Sequence, residues 1–178
     1  IGFFLKRIAE SKKILYIADN AGEIIFDSLF IEKIGSDRVT LSVRGFPVLN
    51  DATVDDAVAA GLDKIVNVID NGSDAPGIIL EECSDEFRRY FNDADMIIAK
   101  GQGNYETLSD VGKEIFFLLK VKCPVISDHT GYPVGTRAVI KSASGRSEKV
   151  FPRKDYDNFI PQLTCRPIGI DRKSTRLN

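Results

Sequence analysis

Apolar residues over the first 122 positions fall into two alternating kinds of run. "KILYIAD" (13–19), "RVTLSVRG" (38–45), "KIVNVID" (64–70), "DMIIAKG" (95–101) and "EIFFLLKVK" (114–122) are short and rich in branched or aromatic residues, as strands buried on both faces are. Segments with helical spacing lie between them. In "AGEIIFDSLFIEKIG", Ile24, Ile25, Leu29, Ile31 and Ile34 form the expected core face and Gly35 the stop. "TVDDAVAAG" (53–61) reads as a short helix, "GIILEECSDEFRRYFNDA" (77–94) as a longer one, and "FFLKRIAESKK" (3–13) as a helix that opens the chain. Strands alternating with helices imply right-handed βαβ units. The fold class is therefore α/β: a doubly wound, Rossmann-like, mostly parallel sheet with helices on both faces.

One α/β domain over residues 1–150 accounts for this pattern. Beyond it, residues 151–178 lose any regular apolar period, and "DRKSTRLN" reads as a non-native end. The chain starts without Met inside a helical segment, so an N-terminal portion is expected to be missing.

In open parallel sheets, ligands bind beyond the carboxyl ends of the strands. The residues just past each strand are polar here. Asp19 and Asn20 follow the first, and Arg44, Gly45 and a segment ending in Asn50 and Asp51 follow the second. "DNGSDAPG" (70–77) follows the third and "KGQGNYE" (100–106) the fourth. All four clusters fall on one edge of the sheet.

Asp19, Asn20 and Asp51 are hard oxygen donors suited to Mg²⁺ or Mn²⁺, with water or substrate phosphate completing an octahedron. Asp19 and Asp51 also suit helix N-caps, Asp51 for the helix that begins near Thr53. Asn71, Gly72, Ser73 and Asp74 offer amides and a hydroxyl to an anion. Lys100, Gly101 and Asn104 offer a cation and a close backbone approach to phosphate. As a dinucleotide fingerprint that loop fails, because Glu106 stands where the third glycine belongs, and no Walker motif occurs. A smaller phosphorylated compound fits better. "HTGYPVG" (129–135) reads as a turn-rich connection.

Composition narrows the field further. At 178 residues, 43% hydrophobic and with net charge -2, the chain lacks the basic field of a nucleic-acid binder, and no apolar run would span a membrane. Its 3 cysteines form no C-x-x-C and read as buried thiols in a reducing cytoplasm. A single histidine, His129, leaves little material for a zinc site or a Ser-His-Asp triad.

Together "DNAGE" (19–23), "LNDAT" (49–53), "NGSDAPG" (71–77), "KGQGNYETL" (100–108) and "FFLLKVKCPVI" (116–126) resemble, in order and spacing, the prokaryotic branch of the damage-control phosphatases. The resemblance covers roughly residues 10 to 141 and implies a metal-dependent phosphatase. It implies Asp19, Asn20 and Asp51 as ligands of Mn²⁺, Co²⁺, Ni²⁺ or Mg²⁺, and a small phosphorylated metabolite such as a sugar phosphate as substrate. Asp19, Asp51 and Lys100 are the expected catalytic residues. Asn50, Asn71, Gly72, Ser73, Asp74, Gly101 and Asn104 are expected to face substrate, and Gly22 to permit close helix packing. The family's helical N-terminal region is not in this chain, and the segment after Lys141 departs from its pattern. Two other readings stand beside it: an S-adenosylmethionine-dependent methyltransferase using the same crevice, and a non-catalytic fragment that binds metal or phosphate without turnover.

Overall fold

Every side chain of the strand β1 (Ile14–Ile17) is buried, because helices cover both of its faces. In the computed structural model, which describes residues 1–142, β1 is central to a six-stranded sheet. The expected domain boundary at residue 150, the tail at 151–178 and Cys165 lie outside the described residues. The other strands are β2 (Val39–Val43), β3 (Asn67–Asp70), β4 (Met96–Lys100), β5 (Ile115–Lys120) and β6 (Arg137–Lys141), in the spatial order β3-β2-β1-β4-β5-β6. The first five are parallel. β6 adds an antiparallel edge, with Phe117 opposite Ile140. β6 lies outside the five apolar runs that mark the other strands; its alternation of exposed and half-buried positions is that of an edge strand.

Alternate residues of β1 feed two cores. Ile14 and Tyr16 face α1 (Gly2–Glu10), α2 (Ile24–Ile34) and α3 (Val54–Ala59). Leu15 and Ile17 face α4 (Asp85–Asp93), α5 (Gln102–Leu108) and α6 (Pro124–Thr130). Stacked Phe4 and Phe30 join α1 to α2, and Tyr105 meets Phe117 edge-on at 5.0 Å.

Two helices depart from expectation for physical reasons. On α2, Ile24, Ile31 and Ile34 are buried as expected, but Ile25 and Leu29 are 60% and 65% exposed. The sheet takes the stripe that carries Asp27, whose carboxylate accepts from Tyr16 Oη and Lys100 Nζ at 2.8 Å each. The long helix expected over 77–94 begins only at Asp85, because Ser84 Oγ accepts from the Phe87 amide at 3.1 Å and caps it there.

The order β3-β2-β1 turning outward to β4-β5 places a topological switch point between β1 and β4. Chains leaving those two strands diverge and open a crevice at their carboxyl ends.

Candidate functional site

β1 ends at Ile17, and the chain then delivers Ala18, Asp19 and Asn20 to the mouth of that crevice. Beside them runs the segment after β2. Asn20 and Asp51 form an antiparallel bridge: Ala52 N donates to Asp19 O at 2.7 Å and Ala21 N to Asn50 O at 2.9 Å. The three residues expected to hold a cation are thus brought together by main-chain bonds. On the other flank Gly101 turns at φ 80°, and a Cβ placed there would lie 2.0 Å from Asp19 Oδ2. Only glycine lets the chain leaving β4 pass so close to that carboxylate.

Neither aspartate caps a helix. α2 starts from Glu23, and α3 from Thr53, whose amide and hydroxyl each donate to Asp56 Oδ2 at 2.8 Å. Asp51 is instead paired with Arg44, whose Nε donates to its Oδ2 at 2.7 Å. Among the described residues Asp19 forms no such ion pair, although the charges of Lys122 and Arg44 act on it. Burial, then the charge of Asp51, pushes its pKa up to about 6. Two carboxylates and an amide carbonyl crowded into a partly buried crevice suit a hard divalent cation, which would relieve the repulsion that raises Asp19. Among the described residues no cluster of three His, Cys, Asp or Glu side chains is arranged to hold a metal, so a cation held here would have to draw on Asn20, water and phosphate as well. Asn20 Oδ1 already accepts from Gly22 N at 2.7 Å, and a carbonyl oxygen has a second lone pair to offer. Gly22 serves that turn: the nearest atom to a Cβ there would be Asn20 Oδ1, at 3.1 Å, with no helix in reach. This corrects the expected packing role.

The remaining expected residues divide. Lys100 Nζ donates to Glu23 Oε2 at 2.9 Å and Asp27 Oδ1 at 2.8 Å, so its charge is answered within the chain. Burial would lower its pKa, but those two carboxylates outweigh it and raise it. Asn104 is fully buried and fully used: its Nδ2 donates to Ala18 O and Lys100 O, and its Oδ1 accepts from Arg44. In the 71–77 loop, Asn71 Oδ1 accepts from the Gly45 and Ser73 amides, Ser73 Oγ from Ala75 N, and Asp70 Oδ1 from Gly72 N. Those amides are thereby turned inward, and Asn71 Nδ2 is a buried donor without a partner among the described residues. Asn50 and Asp74 are exposed. His129 Nδ1 lies 2.7 Å from Tyr105 Oη, and its connection leads from α6 into β6.

Two residues gain importance only from the structure. Arg44, 3% exposed, reaches Asp51, Gly77 O and Asn104 at once. Lys122, two residues past β5, is exposed, and its amide donates to Gln102 Oε1 at 2.9 Å. Its positive charge lowers the pKa of both Asp19 and Glu106 against the upward pull of burial. Reading on past the fifth strand, as past the first four, would have found it.

A sequence model of the damage-control phosphatase ARMT1-like domain matches residues 3–138. The chain belongs to this family. An uncharacterized protein of Methanocaldococcus jannaschii is 51% identical over 136 residues, 73% of this chain and 45% of that one. A damage-control phosphatase of Pyrococcus horikoshii is 43% identical over 141 residues, 77% of this chain and 49% of that one. A crystal structure of a DUF89 family protein from Pyrococcus horikoshii superposes with a TM-score of 0.77 at 42% identity, covering 80% of this chain and 51% of that one. The chain spans about half the length of these curated relatives.

Proposed function

We propose that this domain is the catalytic part of a divalent-cation-dependent phosphatase that cleaves the phosphate ester of a small metabolite, such as a sugar phosphate. One observation carries the reading: Asp19 and Asp51 meet at the switch-point crevice with no capping role, and Asp19 forms no ion pair among the described residues. Membership of the phosphatase family favours hydrolysis over methyl transfer and over a binding fragment.

Asp19, Asn20 and Asp51 are the residues that would hold the cation, with Mn²⁺, Co²⁺, Ni²⁺ and Mg²⁺ as candidates. A bound cation supplies Lewis-acid polarisation of the phosphoryl group and lowers the pKa of water. Lys122 offers the exposed positive charge on the crevice's other side, suited to neutralising a phosphate that enters there. Lys100, held by Glu23 and Asp27, adds its charge from the α2 side. The Gly101 turn leaves the approach to Asp19 clear, and the exposed Asn50 and Asp74 would face the substrate's remainder, while Asn71 and Ser73 hold the shape of their loop from inside. The reaction takes up one water and releases an alcohol and inorganic phosphate.

No helix among the described residues is long and apolar enough to cross a membrane. Cys83 and Cys123 are free thiols, which suits the reducing cytoplasm; Cys83 is buried as expected, whereas Cys123 is only half-buried. Turnover of a panel of phosphate monoesters, with Mn²⁺, Co²⁺, Ni²⁺, Mg²⁺ or chelator added, tests the reading. Metal-dependent release of phosphate that Asp19→Asn abolishes supports it. Equal turnover in chelator would overturn the cation requirement, and absence of turnover with every metal and ester would overturn the catalytic reading.

A further inference from the structure

We infer that Arg44 is a positioning residue for the cation site: it holds one carboxylate oxygen of Asp51 so that the other faces the crevice. This rests on the reading of Asp19, Asn20 and Asp51 as cation ligands, and it assigns a role to a residue outside that set.

Arg44 leaves β2 into the interior. Its Nε donates to Asp51 Oδ2 at 2.7 Å, one terminal nitrogen donates to Gly77 O, and the other to Asn104 Oδ1 at 3.1 Å. Asn104 in turn donates to Ala18 O at 3.1 Å and Lys100 O at 2.7 Å. One guanidinium and one amide therefore connect the segments that leave β1, β2, β3 and β4. The main chain supports the same arrangement, since Arg44 N donates to Ala52 O at 2.8 Å and Asp51 N to Val48 O at 3.0 Å.

Stability alone does not call for an arginine here. Burying a guanidinium and a carboxylate is expensive, and a well-packed apolar pair of similar volume is often as stable or more so. What an apolar pair cannot do is fix the rotation of the Asp51 carboxylate. The planar fork, with donors in three directions, does this while it satisfies acceptors on two other loops; a lysine ammonium lacks that shape. Groups that orient a metal-ligating carboxylate from behind are known to control affinity strongly.

The proposal predicts a result opposite to that of simple charge. A cation beside a metal site repels the metal, so by Coulomb's law alone removing Arg44 should tighten binding. If Arg44 positions Asp51, removing it should weaken binding. Mn²⁺ is titrated by calorimetry into wild type, Arg44→Gln and Arg44→Lys, at a temperature where circular dichroism shows each folded. Both variants should bind about 10- to 100-fold more weakly, with Arg44→Lys recovering little despite its charge. A lowered melting temperature with unchanged or tighter Mn²⁺ binding would make Arg44 merely structural and overturn the proposal. Absence of Mn²⁺ binding by wild type would instead overturn the cation reading itself, and this one with it. Should neither variant fold, the wild type still decides. The Arg44 Nε–H resonance must move as Mg²⁺ saturates the site, and an unmoved resonance at saturation would overturn the inference.

Discussion

Asp19 and Asp51 stand on bridged segments at the same sheet edge, but the chain treats their charges differently. On the β2 side, Asp51 is held by a buried arginine that is itself bonded to two further loops. At the β1–β4 switch point, Asp19 makes no ion pair among the described residues; burial and the charge of Asp51 outweigh the charges of Lys122 and Arg44, and its pKa rises to about 6. The first arrangement answers its charge within the chain, while the second makes the charged form of Asp19 costly. A half-buried carboxylate with a raised pKa is the kind of group that functional sites are built from. The two lysines repeat the contrast. Lys100 is matched by Glu23 and Asp27, whereas Lys122 is exposed at the crevice.

The sharpest way to break this comparison is to neutralise each aspartate in turn. Asp51→Asn strips the partner charge from a buried guanidinium and should cost about 3 kcal/mol. For a domain of this size that is a fall of roughly 10 °C in melting temperature. Mn²⁺ affinity should fall as well. A melting temperature equal to wild type would show that the Arg44 pair carries no stability.

Gly101→Ala comes next. The added methyl would meet the Asp19 carboxylate, and φ of 80° strains any residue with a Cβ. A loss of about 2 kcal/mol is expected, together with weaker Mn²⁺ binding as Asp19 is displaced. Urea unfolding and calorimetry read the two effects. A variant unchanged in both would show that Asp19 has room to move.

Asp19→Asn should do the reverse of Asp51→Asn to the metal-free chain. Because Asp19's pKa is raised from 3.8 to about 6, the folded chain holds a proton the unfolded chain has already lost between those values. Stability therefore falls as pH rises through that window, and above it the full cost of the charge is present. Asp19→Asn removes that cost, so its melting temperature should exceed wild type by a few degrees near pH 7, the gap closing below about pH 4. Chelator must be present, since bound Mn²⁺ would favour wild type. Equal melting temperatures near pH 7 would mean the carboxylate is already compensated.

The smallest structural effect belongs to Lys122→Ala, which should leave the melting temperature unchanged while weakening inorganic phosphate about tenfold in the presence of Mn²⁺. Lys100→Ala should instead lower the melting temperature, because it leaves Asp27 buried without its cation. Reversed outcomes would exchange the roles given to the two lysines.

Much of this was legible in the one-dimensional pattern. Short buried runs alternating with helical ones dictate a parallel sheet covered on both sides, because no other arrangement buries strands that are apolar on both faces. That topology in turn places Asp19, Asn20 and Asp51 at one edge. What the pattern could not determine was which polar groups satisfy one another. α2 carries apolar residues on more than one stripe, and the choice fell on the stripe with Asp27 because Tyr16 and Lys100 can bond it there. Asp51 and Thr53 both suit a helix cap locally, and only the reach of Arg44 decides that Asp51 turns away. Lys100 and Lys122 each follow a strand, yet two carboxylates on α2 meet only the first. Periodicity is a property of neighbours along the chain, whereas the pairing of charges is a property of neighbours in space. Local sequence therefore determined the sheet and the edge on which the site lies, and tertiary contact alone decided which charges there are spoken for.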